Sequence, residues 1–130
     1  MKIQDLEAVH QVADMDQLDS IMDRKYKGYA NTFWISHGDD KYPVMLIFMN
    51  GDQANIQYYP REGHAGLTSI GNILGTNGEG VSSFVLNRFG EMQEIDNSCI
   101  ISSHEARTAA REFMNSRALP TSVTWLNLGD

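Results

Sequence analysis

The chain has 130 residues, 42% hydrophobic and 21% charged, proportions of a globular protein able to bury a core in one domain spanning 1–130. Its 10 Lys and Arg stand against 17 Asp and Glu, a formal net charge of −7, which argues against nucleic-acid binding and suits either a basic protein partner or solubility alone, two readings that charge does not separate. No apolar run approaches the ~20 residues of a membrane span, the acidic N-terminus does not read as a signal peptide, and the single Cys99 allows no internal disulfide, so the expected setting is the reducing cytoplasm.

The first element is a helix over MDQLDSIMDRKYK, Met15 to Lys27. Asp14 or Asp16 can cap it, Met15, Leu18, Ile21 and Met22 fall at helical spacing, and Arg24, Lys25 and Lys27 complement its dipole before Gly28 stops it. NTFWISHG reads as a strand with Phe33 and Ile35 on one face and Trp34 on the other. The unbroken apolar run Val44 to Met49 reads as a central strand. Asn50-Gly51 signals a type I′ hairpin into QANIQYY, whose Ala54, Ile56 and Tyr58 share a face. The result is a three-stranded antiparallel meander.

A Gly-rich connection follows from Tyr58 to Asn72, then GNILGTNGEG, with VSSFVLNRF and EMQEIDNS as two further strands about a turn at Gly90. Ser102 and Glu105 form an S-x-x-E capping box, and Ala106, Ala109, Ala110, Phe113 and Met114 make the stripe of a second helix. TSVTWLNL supplies a last strand with Val123 and Trp125 on one side. Segregated elements in this order predict an α+β fold: a mostly antiparallel sheet with an N-terminal and a C-terminal helix packed against it.

Each stretch that imitates a chemical motif lacks a member. HEART, His104 to Thr108, has Thr where H-E-x-x-H needs its second zinc ligand, and the capping box explains Glu105. DMDQLDSIMD places Leu18 and Asp19 at the fifth and sixth positions of a calcium loop, where a ligand and a turn glycine belong. GTNGEG has no following Lys-Ser/Thr to hold phosphate. His10, His37, His64 and His104 show no ligand spacing. No metal and no cofactor are expected, and Cys99, beside Ile100 and Ile101, reads as a small hydrophobe rather than a reactive thiol.

The loop Tyr58 to Asn72 carries Arg61, Glu62, His64 and Ser69, side chains that hydrolases use. Ser69 is not in a G-x-S-x-G elbow, and adjacent Arg61 and Glu62 point apart on an extended chain. A polar loop after an aromatic strand end suits contact better than catalysis. A small hydrolase using His64 with Ser69 or Glu62, and a regulatory subunit of another complex, are the competing readings.

YYP at Tyr58–Pro60, Gly66, SIG at Ser69–Gly71, AAREF at Ala109–Phe113 and PTSVTW at Pro120–Trp125 resemble immunity protein family one of the bacterial polymorphic toxin systems, whose members are often encoded beside nucleic-acid deaminase toxins. The resemblance covers Phe33 to Leu128, and its most specific part is the ending Phe113, Pro120, Val123, Trp125. It implies a non-enzymatic inhibitor in the bacterial cytoplasm that binds a cognate toxin, a deaminase or a nuclease. Family members tend to carry Gly before the proline; here NSRALP has none, so Asn115 or a looser turn must end the helix. Pro120, Val123 and Trp125 read as framework. The expected toxin contacts are Tyr59, Arg61, Glu62 and His64, with the acids Asp39, Asp40, Glu91, Glu94 and Asp96.

Overall fold

The computed structural model describes residues 1–75 and 77–129; Thr76, within the GTNGEG stretch, and Asp130 lie outside them. In chain order the elements are β1 (Lys2–Gln4), β2 (Val9–Gln11), α1 (Met15–Met22), β3 (Ala30–Ser36), β4 (Val44–Asn50), β5 (Gln53–Tyr59), β6 (Leu67–Ile70), β7 (Val81–Val85), β8 (Met92–Asp96), β9 (Ile101–Ser102), α2 (Ser103–Ser116) and β10 (Thr124–Asn127). Seven strands run β10-β6-β5-β4-β3-β1-β2, β9 pairs with β5 as the eighth, and all these pairings are antiparallel. The α+β expectation holds, with the β3–β4–β5 meander at the centre.

The period-2 rule decides which residues meet the helices. Ile3, Ile35, Met45 and Tyr58 stand in one cross-strand row. With Phe33, Ile47 and Ile56 they pack against Leu18, Ile21 and Met22 of α1 and Ala106, Ala109, Ala110 and Phe113 of α2. Small alanines let α2 approach the sheet closely, and Phe113 fills the remaining space beside the His37 ring at 4.8 Å and Tyr58 at 6.0 Å. On the other face, Phe48 meets Phe84 of the β7–β8 hairpin at 5.8 Å, joined by Ile95 and Ile100. Helices, sheet and hairpin thus form three layers, and the hairpin covers only part of its face.

Several local expectations need correction. Helix α1 starts at the Asp14 cap, whose carboxylate accepts the Gln17 N–H at 2.9 Å, but stops at Met22 rather than Lys27. Arg24 turns away to the buried Asp5 carboxylate at 2.8 Å, and Arg107 of α2 supplies the cation at the helix end, donating to the Met22 carbonyl at 3.1 Å and to Asp23 at 2.5 Å. The β4–β5 turn is centred on Gly51-Asp52, since Asn50 pairs with Gln53, and only Gly51 takes a positive φ, 60°; that is the first central position a II′ turn reserves for glycine. Strand β7 ends at Val85, so Phe89 is not in a strand. Helix α2 is capped by the Ser102 hydroxyl, which accepts the Glu105 N–H at 3.0 Å. It ends at Arg117 in the left-handed region, φ 57°, and not through Asn115.

The largest correction lies inside the Gly-rich connection. Residues Leu67–Ile70 are not loop but strand β6, bridging β5 and β10. Gly71 follows because a Cβ there would stand 2.3 Å from the Ile100 carbonyl oxygen; only glycine permits so close a backbone approach.

Candidate functional site

Strand β6 settles the chemistry of Ser69. The residue is 0% exposed, its Oγ accepts the Ile56 N–H at 3.0 Å and donates its hydrogen to the Cys99 carbonyl at 2.9 Å. Asn55, also buried, donates to Thr68 Oγ1 at 3.0 Å and to the Cys99 carbonyl at 3.0 Å. The hydroxyl of Ser69 therefore joins β5, β6 and the turn at Cys99, with its hydrogen already committed to a backbone oxygen. His64 is buried too, and its Nδ1 accepts the Gly66 N–H at 2.7 Å, bracing the turn. Arg61 and Glu62 are exposed at the tip of the same loop.

Tyr59 takes a different direction from its neighbour. Tyr58 faces the helices, whereas Tyr59 shares the row of Val44 and Ser36 on the opposite face. Its ring lies against Gly66, where a Cβ would be 2.8 Å away at a φ of 98°. Its hydroxyl donates to Gln57 Oε1 at 2.8 Å, and burial raises its pKa above the ordinary tyrosine value. The half-buried ring is thus braced by the loop and by Gln57.

One cross-strand row of this face reads Gln4, Trp34, Leu46, Gln57, Thr68, Leu126. A groove of mixed charge, lined by Asp39 and Asp40 together with Lys2 and Lys41 around Trp34 and Val44, opens at the β3–β4 turn. A second, lined by Glu94, Asp96, Gln57, Thr68, Leu126 and Leu128, opens beside the hairpin. Leu126 and Leu128 are 47% and 54% exposed. Asp39 and Asp40, in the β3–β4 connection, thus rim one groove beside Trp34, and Glu94 and Asp96, on the β7–β8 hairpin, rim a second that shares no lining residue with it. Glu91 sits apart in the hairpin turn, where its carboxylate accepts from Asn87 Nδ2 at 3.0 Å.

Sequence reasoning overlooked the apolar part of this face: Trp34, Leu126, Leu128 and the hairpin-tip Phe89. Trp34 was assigned to the face opposite Phe33 and Ile35, but nothing local says that this face stays partly open. Phe89 carried a signal, an aromatic between Asn87 and Gly90, two turn formers that leave it no core to enter. Among the described residues no cluster of His, Cys, Asp and Glu has the arrangement of a metal site, and no helix is long and apolar enough to cross a membrane.

No family model matches the chain. Its sequence is 25% identical over 128 residues to the double-stranded DNA deaminase immunity protein of Burkholderia cenocepacia (strain H111), a match that takes in 98% of this chain and 100% of the relative.

Proposed function

We propose that this protein is an immunity protein, a non-enzymatic inhibitor that binds a cognate deaminase toxin and neutralises it in the cytoplasm of the producing bacterium. The observation that carries the reading is the likeness to the deaminase immunity protein over 98% of this chain and 100% of the relative. The arrangement of the open sheet face supports it: apolar and aromatic side chains bordered by Asp39, Asp40, Glu94 and Asp96. A protein acting on DNA needs a basic surface to hold phosphates, and a chain of charge −7 is complementary to it. In this reading Tyr59 supplies contact area, the four acids set the rate of encounter, Arg61, Glu62 and Glu91 reach the periphery, and His64 acts by holding the loop.

The test is co-expression. A deaminase domain encoded beside this chain's gene should arrest growth alone and be tolerated with the chain present. Continued growth arrest at high levels of folded chain would remove the proposal.

A further inference from the structure

Phe89 is 85% exposed, the most exposed of the large hydrophobic side chains described. An aromatic ring in water is ordinary on a flexible loop; this one is held by a turn with little freedom. Asn87 Oδ1 accepts the Phe89 N–H at 3.0 Å, the Asn87 carbonyl accepts the Gly90 N–H at 3.3 Å, and the Leu86 N–H donates to the Glu91 carbonyl at 2.8 Å. Gly90 takes a φ of 91°, which closes the turn. From the other side the Tyr26 hydroxyl donates to the Arg88 carbonyl at 3.1 Å, tying the tip to the segment after α1.

This turn and the β1–β2 hairpin wall a groove floored by Trp34, with Phe89 on one side and Val9, 57% exposed, on the other. The β1–β2 wall is equally fixed. Asp5 Oδ1 accepts the Glu7 and Ala8 N–H groups at 2.8 Å each, and Asp5 Oδ2 accepts from Arg24 at 2.8 Å and His10 at 3.0 Å. Gln4 and Trp34 line this groove and also the one holding Asp39, Asp40, Lys2 and Lys41, so the two grooves are continuous.

Resting on the reading above, we infer that Phe89, Val9 and Trp34 form the apolar anchor of the toxin interface: the rigid turn seats Phe89 against an apolar patch of the toxin while Asp39 and Asp40 meet its basic rim. Interfaces draw most of their affinity from a few buried aromatics whose conformation is fixed beforehand. A second copy of this chain fits less well, because it would bring another charge of −7 against the same acids.

The test measures binding of a deaminase domain encoded beside this chain's gene to wild type, Phe89→Ala, Val9→Ala and Asp39→Asn/Asp40→Asn by surface plasmon resonance at two salt concentrations. Phe89→Ala should keep the wild-type melt, since its ring touches little, and raise the off-rate about thirty-fold at both salts. The acid variant should mainly lower the on-rate, and only at low salt. Wild-type binding with an unchanged off-rate in both Phe89→Ala and Val9→Ala would overturn the anchor and leave the immunity reading standing. Absence of wild-type binding would remove both. Sedimentation that shows a wild-type dimer converted to monomer by Phe89→Ala would assign the cleft to a second copy and overturn the anchor.

Discussion

Replacing Ser69 with alanine separates a framework hydroxyl from a nucleophile. The residue is 0% exposed and holds the Ile56 N–H at 3.0 Å and the Cys99 carbonyl at 2.9 Å. In Ser69→Ala the Cys99 carbonyl keeps the Asn55 amide at 3.0 Å, so the Ile56 N–H is the group left buried without its acceptor. Stranding one such donor costs about 1–3 kcal/mol. For a chain of 130 residues that lowers the melting temperature by roughly 3–12 °C. Urea denaturation followed by the fluorescence of Trp34 and Trp125 measures the loss, and toxin neutralisation well below the melt should be retained. A Ser69→Ala protein that melts like wild type while losing neutralisation, or losing a hydrolysis that wild type performs, would refute the framework role.

Phe113→Ala should lose about 3–5 kcal/mol in chemical denaturation, because the ring is 0% exposed between His37 and Tyr58. Trp125→Ala should lose less, about 1.5–3 kcal/mol: its ring is half-buried on the edge strand, though its indole N–H donates to the Pro120 carbonyl at 2.8 Å. Arg117→Gly should stabilise by about 0.5–1 kcal/mol, relief of the left-handed strain exceeding the added freedom of the unfolded chain; a lower melt would contradict the cap geometry. Burial lowers the His37 pKa below its ordinary 6.5, with the Phe113 carbonyl only partly opposing it. The unfolded chain therefore takes up that proton first, so stability is full above pH ~6.5 and declines as the pH falls through the folded value. His37→Gln should flatten that decline, and an unchanged slope between pH 7 and 5 would sink the assignment.

The meander and α2 were legible because their signals are local: the Val44–Met49 run, glycine at the β4–β5 turn, and Ser102 three residues before Glu105. Strand β6 was not, because LTSI puts Thr68 and Ser69 between its apolar ends and these are satisfied by Asn55 and Cys99, 13 to 30 positions away in sequence. The overlong reading of α1 has the same origin. Arg24 was a plausible last-turn cation until Asp5, 19 residues earlier, offered a buried carboxylate. For the candidate surface, residue types were legible and their convergence was not. Asp39 meets Trp34 through the β3–β4 connection, and Glu94 meets Gln57 and Leu126 through the docking of a hairpin, and no local pattern encodes either.

Inhibition of a deaminase through the open sheet face, as proposed above, is open to direct titration. The measurement titrates the chain, and its Asp39→Asn/Asp40→Asn and Phe89→Ala variants, into the deamination reaction of a deaminase domain encoded beside its gene. Wild type should abolish deamination at about one chain per toxin, and each variant should need more while melting as wild type does. Undiminished deamination at a large excess of folded chain would contradict the function, and full potency in every face variant would place the contact surface elsewhere.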